Sequence, residues 1–119
     1  MNSYKDLIVW QKSIELVIGI YKMTDKFPKS ELYGLTSQIR RAAVSISSNI
    51  AEGYTRKHRL EYIQFLRIAF GSGGELETQI IIAKKLNFSE IQEIDRIEKL
   101  LIEVMKMLNK LIDTLSNKP

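Results

Sequence analysis

The chain has 119 residues, with 18 Lys and Arg against 14 Asp and Glu, one histidine and no cysteine. This length and a 45% share of hydrophobic residues predict a single folded domain rather than a disordered chain. The lack of cysteine excludes disulfides, zinc–thiolate sites, iron–sulfur clusters and a thiol nucleophile. No apolar run approaches the roughly 18 residues of a membrane span, and the N-terminus lacks the basic start of a signal peptide. We therefore expect a cytoplasmic protein that does not enter a membrane.

The first predicted helix spans about residues 4–25. Its apolar side chains recur at intervals of three and four residues, a spacing that places them on one face of a helix. That predicted face consists of Leu7, Trp10, Ile14, Val17 and Tyr21. Phe27-Pro28 ends the helix, because a proline disfavours helical backbone in the residue before it.

The second predicted helix spans about residues 32–52. Its apolar face consists of Leu35, Ile39, Ala42, Ala43, Ile46 and Ile50. Gly53 follows at once, and we expect it to stop the helix, since glycine is the usual residue just beyond a helix C-terminus.

The third predicted helix spans about residues 56–86. Its apolar face consists of Tyr62, Leu66, Ala69, Gly73, Leu76, Ile80 and Ala83. Lys84 and Lys85 fall in the last turn, where cations complement the carbonyl end of the helix dipole. The glycines of Gly71-Ser72-Gly73-Gly74 indicate either a close helix crossing or a kink, and the sequence leaves both interpretations open.

The fourth predicted helix spans about residues 90–116, with Ser89 and Gln92 as an expected capping box. A heptad-like apolar pattern runs along it through Ile94, Ile97, Leu101, Val104, Leu108, Leu111 and Leu115. Four amphipathic helices with short connections predict an all-α, antiparallel up-down-up-down four-helix bundle.

Two of the helices carry more apolar residues than one bundle face requires. The additional residues are Leu100, Met105, Met107 and Ile112 in the fourth helix, and Phe65, Ile68 and Ile82 in the third. One interpretation is a larger core in which methionines fill gaps. The other is a self-association surface, because monomers rarely expose large apolar patches. We expect a homo-oligomer, with Met105 and Ile112 at the subunit interface.

The sequence argues against catalysis. Di-metal sites in helical bundles use Glu-x-x-His pairs, but the residue three positions before His58 is Thr55. His58 lies in a basic cluster, which is a poor setting for the base of a serine nucleophile. Residues 71–74 are followed by Glu75-Leu76-Glu77, whereas a phosphate-binding loop needs Gly-Lys-Ser/Thr. We therefore expect a protein that is not an enzyme and has no metal and no other cofactor.

Positive charge is concentrated in the first part of the chain. Through Ser72 there are 11 basic and 6 acidic residues, and the remainder has 7 and 8, so the two parts carry +5 and −1. The candidate nucleic-acid-binding residues are Arg40 and Arg41 in the second helix, and Arg56, Lys57, His58 and Arg59 at the following junction. Such a cluster attracts phosphates, and a solvated charged turn is the alternative interpretation.

A polar stripe adjoins the apolar face of the second helix. It consists of Gln38, Arg41, Ser45, Ser48, Asn49 and Glu52. In the third helix, Arg67 precedes Glu75 by about two turns. A polar stripe beside a core indicates a hydrogen-bond network, solvated or buried between subunits, rather than a catalytic site.

Several segments together carry a family resemblance. They are Asp6-Leu7-Ile8-Val9-Trp10-Gln11, Phe27-Pro28, the run from Tyr33 to Ala43, Ser45-Ile46, Ser48-Asn49-Ile50-Ala51-Glu52-Gly53, Phe65-Leu66-Arg67-Ile68-Ala69, and Gly71-Ser72 with Glu75-Leu76-Glu77. On these segments the chain resembles the bacterial four-helix-bundle proteins encoded within 23S rRNA intervening sequences.

The resemblance implies a small antiparallel bundle that assembles as a homopentamer and has no established biochemical activity. The architecture is also similar to the accessory protein of diversity-generating retroelements, a basic pentamer that works with a reverse transcriptase and nucleic acid. Two hypotheses follow for this chain. One is a noncatalytic oligomer that binds RNA or DNA through the basic junction, and the alternative is an interaction scaffold for a polymerase-like protein partner.

Overall fold

The structure, a computed structural model, describes residues 3–118 and is helical throughout its regular parts. The four helices are α1 (Ile8–Thr24), α2 (Leu35–Thr55), α3 (Arg59–Lys85) and α4 (Ile91–Ser116), with single 3-10 turns at Tyr4–Asp6 and Lys29–Glu31. No strand occurs among the described residues, so the all-α prediction is confirmed. Within residues 3–118, no helix combines the length and apolar character that crossing a membrane requires.

The helices form a bundle of 49 × 22 × 20 Å in which sequence neighbours are also spatial neighbours. Helix α1 packs on α2 and α4, and α3 packs on the same two helices. Arg59 Nη1 donates to the Leu115 carbonyl, so the α2–α3 junction lies at the C-terminus of α4. The rings of Phe27 and Phe88 lie 5.5 Å apart at the opposite end. The predicted antiparallel four-helix bundle is confirmed.

The buried face of α1 differs from the prediction. The helix buries Val9, Leu16, Ile20 and Met23, whereas Tyr21 is 42% exposed. The predicted residues Leu7, Trp10 and Val17 are only partly buried on the flank of the core. The spacing of large apolar residues predicted the wrong face because the buried face also contains two small residues, Ser13 and Gly19, which that spacing does not include.

These two small residues allow close packing of α1. The Ser13 hydroxyl lies 2.8 Å from the Ser47 hydroxyl of α2, and it also donates to the Trp10 carbonyl at 2.6 Å. A Cβ at Gly19 would lie 2.6 Å from Ile97 Cδ1 of α4. A buried hydroxyl pair that is hydrogen-bonded avoids most of the cost of desolvation, so the inner face of α1 tolerates polar atoms.

The C-terminal part of α4 corrects a second prediction. Ile112 is only 8% exposed and completes the core, while Leu111 and Leu115 are partly buried. In an α-helix of 3.6 residues per turn, residues seven positions apart differ by about 20° in direction. Along the length of α4 these differences add up, so the position that points into the core shifts from the heptad position Leu111 to Ile112. The expectation that Ile112 is exposed for a subunit interface is therefore wrong.

Two predicted helix boundaries are also wrong. Helix α2 continues past Gly53 to Thr55, and Gly53 is buried within the helix, where a Cβ would lie 2.7 Å from Phe65 Cβ. Gly53 thus permits the close approach of α3 instead of ending α2. The capping box at α4 does not form, because the N-cap residue is Glu90 and the Ser89 hydroxyl donates to Glu93 Oε1 at 3.1 Å.

The glycine-rich segment of α3 is a close-packing site at one position only. The α-helix is continuous through residues 71–74. A Cβ at Gly73 would collide with the Met105 side chain of α4, whereas none at Gly71 or Gly74 would meet any atom within 4 Å. Met105 is partly buried in this contact and packs against the core of its own chain.

The Tyr62 hydroxyl is buried near the junction without a hydrogen-bond partner among the described residues. Its ring packs edge-on against Tyr54 with centroids 5.9 Å apart. Desolvation, followed by the effect of Tyr54, raises the pKa of Tyr62 to about 12. Because this pKa is raised, the folded state keeps the proton at a pH where the unfolded chain has begun to lose it.

We therefore expect the free energy of unfolding to fall as pH rises from about 10, the ordinary tyrosine pKa, towards 12. Below pH 10 both states are protonated and the contribution is fully present. The Tyr62→Phe variant should lose less stability over this range, and it should be no less stable at pH 7 because the unpaired hydroxyl is removed. Urea denaturation of both proteins across this pH range measures the difference, and identical pH slopes would contradict it.

Candidate functional site

The junction between α2 and α3 presents a run of basic side chains at one end of the bundle. Residues Arg56, Lys57 and His58 connect the two helices, and Arg59 begins α3. Lys57 has a φ of 60°, the left-handed conformation that reverses the chain in a short connection. All four side chains are exposed.

Two of these cations are held in place by neighbouring groups. Arg56 Nε lies 3.0 Å from Glu52 Oε2, and its guanidinium lies 5.1 Å from the centroid of the Phe65 ring. Arg59 Nη1 donates at 3.0 Å to the Leu115 carbonyl, one of the last carbonyls of α4. A guanidinium has five N–H donors, so each side chain retains donors for a further partner.

The other two candidate cations, Arg40 and Arg41, do not join the junction. Arg41 lies in α2 fifteen positions before Arg56, the residue that caps its C-terminus, and the rise of 1.5 Å per residue separates the two by about 22 Å. Arg40 turns towards α1, where its Nε donates to Thr24 Oγ1 at 2.9 Å and its guanidinium lies 4.6 Å from the Tyr21 ring centroid. The six predicted residues therefore do not form one patch.

A polar groove runs between α2 and α3, away from the junction. Its volume is about 530 Å³. The lining residues are Tyr33, Gly34, Ser37, Gln38, Arg41, Ala42, Ser45, Glu75 and Gln79. At its inner end the Ser45 and Ser72 hydroxyls lie 2.9 Å apart, and Asn49 Nδ2 donates to the Ser45 carbonyl at 2.8 Å. The Ser45–Ser72 contact ties the two helices together beside the groove, whereas the Asn49–Ser45 bond lies within α2.

The structure brings only part of the predicted polar set together. Gln38, Arg41 and Glu75 line the polar groove, and Asn49 supports it. Glu52 instead pairs with Arg56, and Arg67 is exposed on α3 outside the groove.

Sequence reasoning missed Tyr33 and Gln79. The signal for Gln79 was its position seven residues after Ser72, which places it two helical turns further along the same face. No comparable signal existed for Tyr33, which lies in the connection before α2.

The chemistry of these surfaces is that of hydrogen bonding and charge. Within residues 3–118, no group of three or more His, Cys, Asp or Glu side chains is arranged to hold a metal ion. The junction offers cations to an anionic partner, and the polar groove offers amides, hydroxyls, one guanidinium and one carboxylate.

Comparisons with known proteins agree with this architecture. No curated protein matches the chain. A solved structure from Bacteroides thetaiotaomicron, described as a protein with unknown function from the S23 ribosomal protein family, is 23% identical and has a TM-score of 0.82. The match covers 89% of this chain and 96% of that one, and at this identity it shows the shared fold. The sequence profile of the family described as 23S rRNA-intervening sequence protein matches residues 5–110. With most of its length covered by that profile, the chain belongs to the 23S rRNA-intervening sequence protein family.

Proposed function

We propose that the chain is a noncatalytic, self-associating bundle that binds RNA or DNA through its basic junction. The observation that carries the proposal is the exposed run from Arg56 to Arg59 at a helix–helix turn. Among the described residues, neither Lys57 nor Arg59 forms an ion pair, so both charges are free to meet phosphates. Neutralising phosphates releases counterions from the nucleic acid, which drives binding at low salt.

Self-association would multiply this charge. The outer face of α3 carries exposed apolar side chains, including Leu60 at 70%, Ile68 at 48% and Ile82 at 43%. Covering such side chains with a second copy removes apolar surface from water. Each added copy also brings a further net charge of +4, which strengthens attraction to phosphates.

The double variant Arg56→Gln/Lys57→Asn tests the junction. Asparagine tolerates the left-handed conformation at residue 57, so the turn is retained while two charges are lost. We expect affinity for a hairpin RNA to fall roughly tenfold at low salt, and the slope of log K against log salt to decrease by about 1 to 2. Fluorescence anisotropy over a salt titration measures both quantities.

The matched control is Lys99→Gln/Lys106→Gln, which removes two exposed charges from α4. If the control weakens binding as much as the junction variant, net charge and not the junction carries the affinity. Absence of binding at about 50 mM salt, or an affinity independent of salt, overturns the proposal. In that case, nuclease-resistant capture of a protein partner from lysate supports the scaffold alternative.

A further inference from the structure

The polar groove is built as a series of facing residues. The Ser45–Ser72 contact joins two antiparallel helices. A residue that precedes Ser45 in α2 therefore lies at the same height along the bundle as the residue that follows Ser72 in α3 by a similar number of positions. Arg41 and Glu75 lie about one turn from this pair and Gln38 and Gln79 two turns from it, so helical spacing places each couple at a matching level of the groove that all four line. Tyr33 stands beyond them at the open end of the groove. The groove therefore has a charged middle, an amide-rich section and an aromatic end.

The floor of the groove contains a buried carboxamide that is not fully hydrogen-bonded. Gln79 is only 7% exposed, yet its Oε1 has no hydrogen-bond donor among the described residues. Buried carboxamides nearly always have partners, because losing water without replacing its hydrogen bonds is unfavourable. Gln38 lines the same groove and is exposed, so a planar ligand with an N–H beside a carbonyl oxygen would complement the donor and acceptor of the Gln38 carboxamide.

The middle of the groove holds opposite charges that do not neutralise each other. Arg41 and Glu75 are both exposed, and neither forms an ion pair within the described chain. A ligand that satisfies both must present an anion to the guanidinium and hydroxyl or N–H donors to the carboxylate. A ribonucleotide does so, with its phosphate and its 2′-hydroxyl next to each other.

The open end of the groove supplies an aromatic surface. Tyr33 is 95% exposed, so its ring is almost free of contacts with its own chain. Exposed aromatic rings of this kind stack with unpaired bases, whereas a core tyrosine would be covered.

From these observations we infer that the polar groove binds one unpaired ribonucleotide of RNA. The base stacks on Tyr33 and hydrogen-bonds to the amide of Gln38 above the Gln79 floor, Glu75 accepts a hydrogen bond from the 2′-hydroxyl, and Arg41 binds the phosphate. The inference rests on the proposed function, and it selects RNA over DNA because only RNA has the 2′-hydroxyl.

The test compares an oligo-uridine of about a dozen nucleotides with its 2′-deoxyuridine counterpart, which differs only in the 2′-hydroxyl. We expect the wild-type protein to bind the RNA with roughly tenfold higher affinity than the DNA, because only the RNA donates the 2′-hydroxyl hydrogen bond to the Glu75 carboxylate. Glu75→Ala should abolish the preference, while Tyr33→Ala should weaken binding of both strands roughly tenfold. Glu77→Ala removes the same charge from an exposed position of α3 outside the groove, and it should retain the preference.

The outcomes separate this inference from the proposed function. If the wild-type protein binds both strands equally, or Glu75→Ala and Glu77→Ala behave alike, the groove inference is overturned and the junction proposal stands. If neither strand binds, titration with uridine monophosphate tests the groove alone through the amide NMR signals of Gln38 and Ser45, while the hairpin titration decides the junction proposal. Signals that do not move overturn the inference. A change in particle mass caused by Glu75→Ala would also overturn it, since the groove would then be a contact between subunits.

Discussion

The Ile112→Glu variant is expected to lose about 3 kcal/mol or more of its free energy of unfolding. Ile112 is 8% exposed and belongs to the single core cluster of the bundle. A glutamate there either buries a carboxylate without a partner or forces the last turns of α4 away from the core. Urea denaturation followed by circular dichroism measures the loss. An unchanged stability would show that the C-terminal part of α4 is not packed as described.

The matched control for this variant is Ile82→Glu on the outer face of α3. Ile82 is 43% exposed, so in a single folded chain a charge at this position remains in water and should change the free energy of unfolding by no more than about 0.5 kcal/mol, measured at a concentration where the protein is monomeric. If the outer face of α3 is the self-association surface, the same variant lowers the particle mass in light scattering. A wild-type protein that is monomeric in the same measurement ends the self-association proposal.

The second large effect is expected for Gly53→Ala, with a loss of about 1 to 3 kcal/mol. The new Cβ would lie 2.7 Å from Phe65 Cβ and 3.3 Å from the Tyr62 carbonyl oxygen. These atoms belong to or adjoin the backbone of α3, so relief requires the helices to separate instead of a side-chain rotation. The cost outweighs the roughly 1 kcal/mol by which alanine exceeds glycine in a helix.

Gly71→Ala is the control for the Gly53 variant, because both glycines lie within long helices. A Cβ at Gly71 would meet no atom within 4 Å, so only the helix preference changes. We expect this variant to be more stable than the wild-type protein by about 0.5 to 1 kcal/mol. Thermal denaturation of the two variants and the wild-type protein gives the comparison. Equal effects at the two positions would contradict the close approach of α2 and α3 at Gly53.

The candidate site was predictable only in its individual parts. The run from Arg56 to Arg59 was visible as a basic cluster, and its exposed position at a helix junction follows from the short connection. The grouping of this cluster with Arg40 and Arg41 was wrong, because the 1.5 Å rise of a helix separates them by about 22 Å. Predicting the polar groove would have required the register between α2 and α3, that is, which residues of the two helices lie side by side. The sequence of either helix alone does not determine this register.

The class of fold and the inner faces of α2 and α3 could be predicted from the amino-acid pattern alone. In α2 that face contains Ile39, Ile46 and Ile50, and all three are fully buried. The reason is physical: large apolar residues at helical spacing define a face that must leave water wherever the helix packs.

Three features depend on how the helices pack: which face of α1 is buried, that Ile112 belongs to the core, and that Gln79 and Gln38 line one groove. Small residues such as Ser13 and Gly19 take inward positions when a neighbouring helix approaches closely, and their size gives no apolar signal of that approach. The spacing of apolar residues is a property of one helix. The distance and the register between helices depend on two helices together, and they bring the residues of the polar groove side by side.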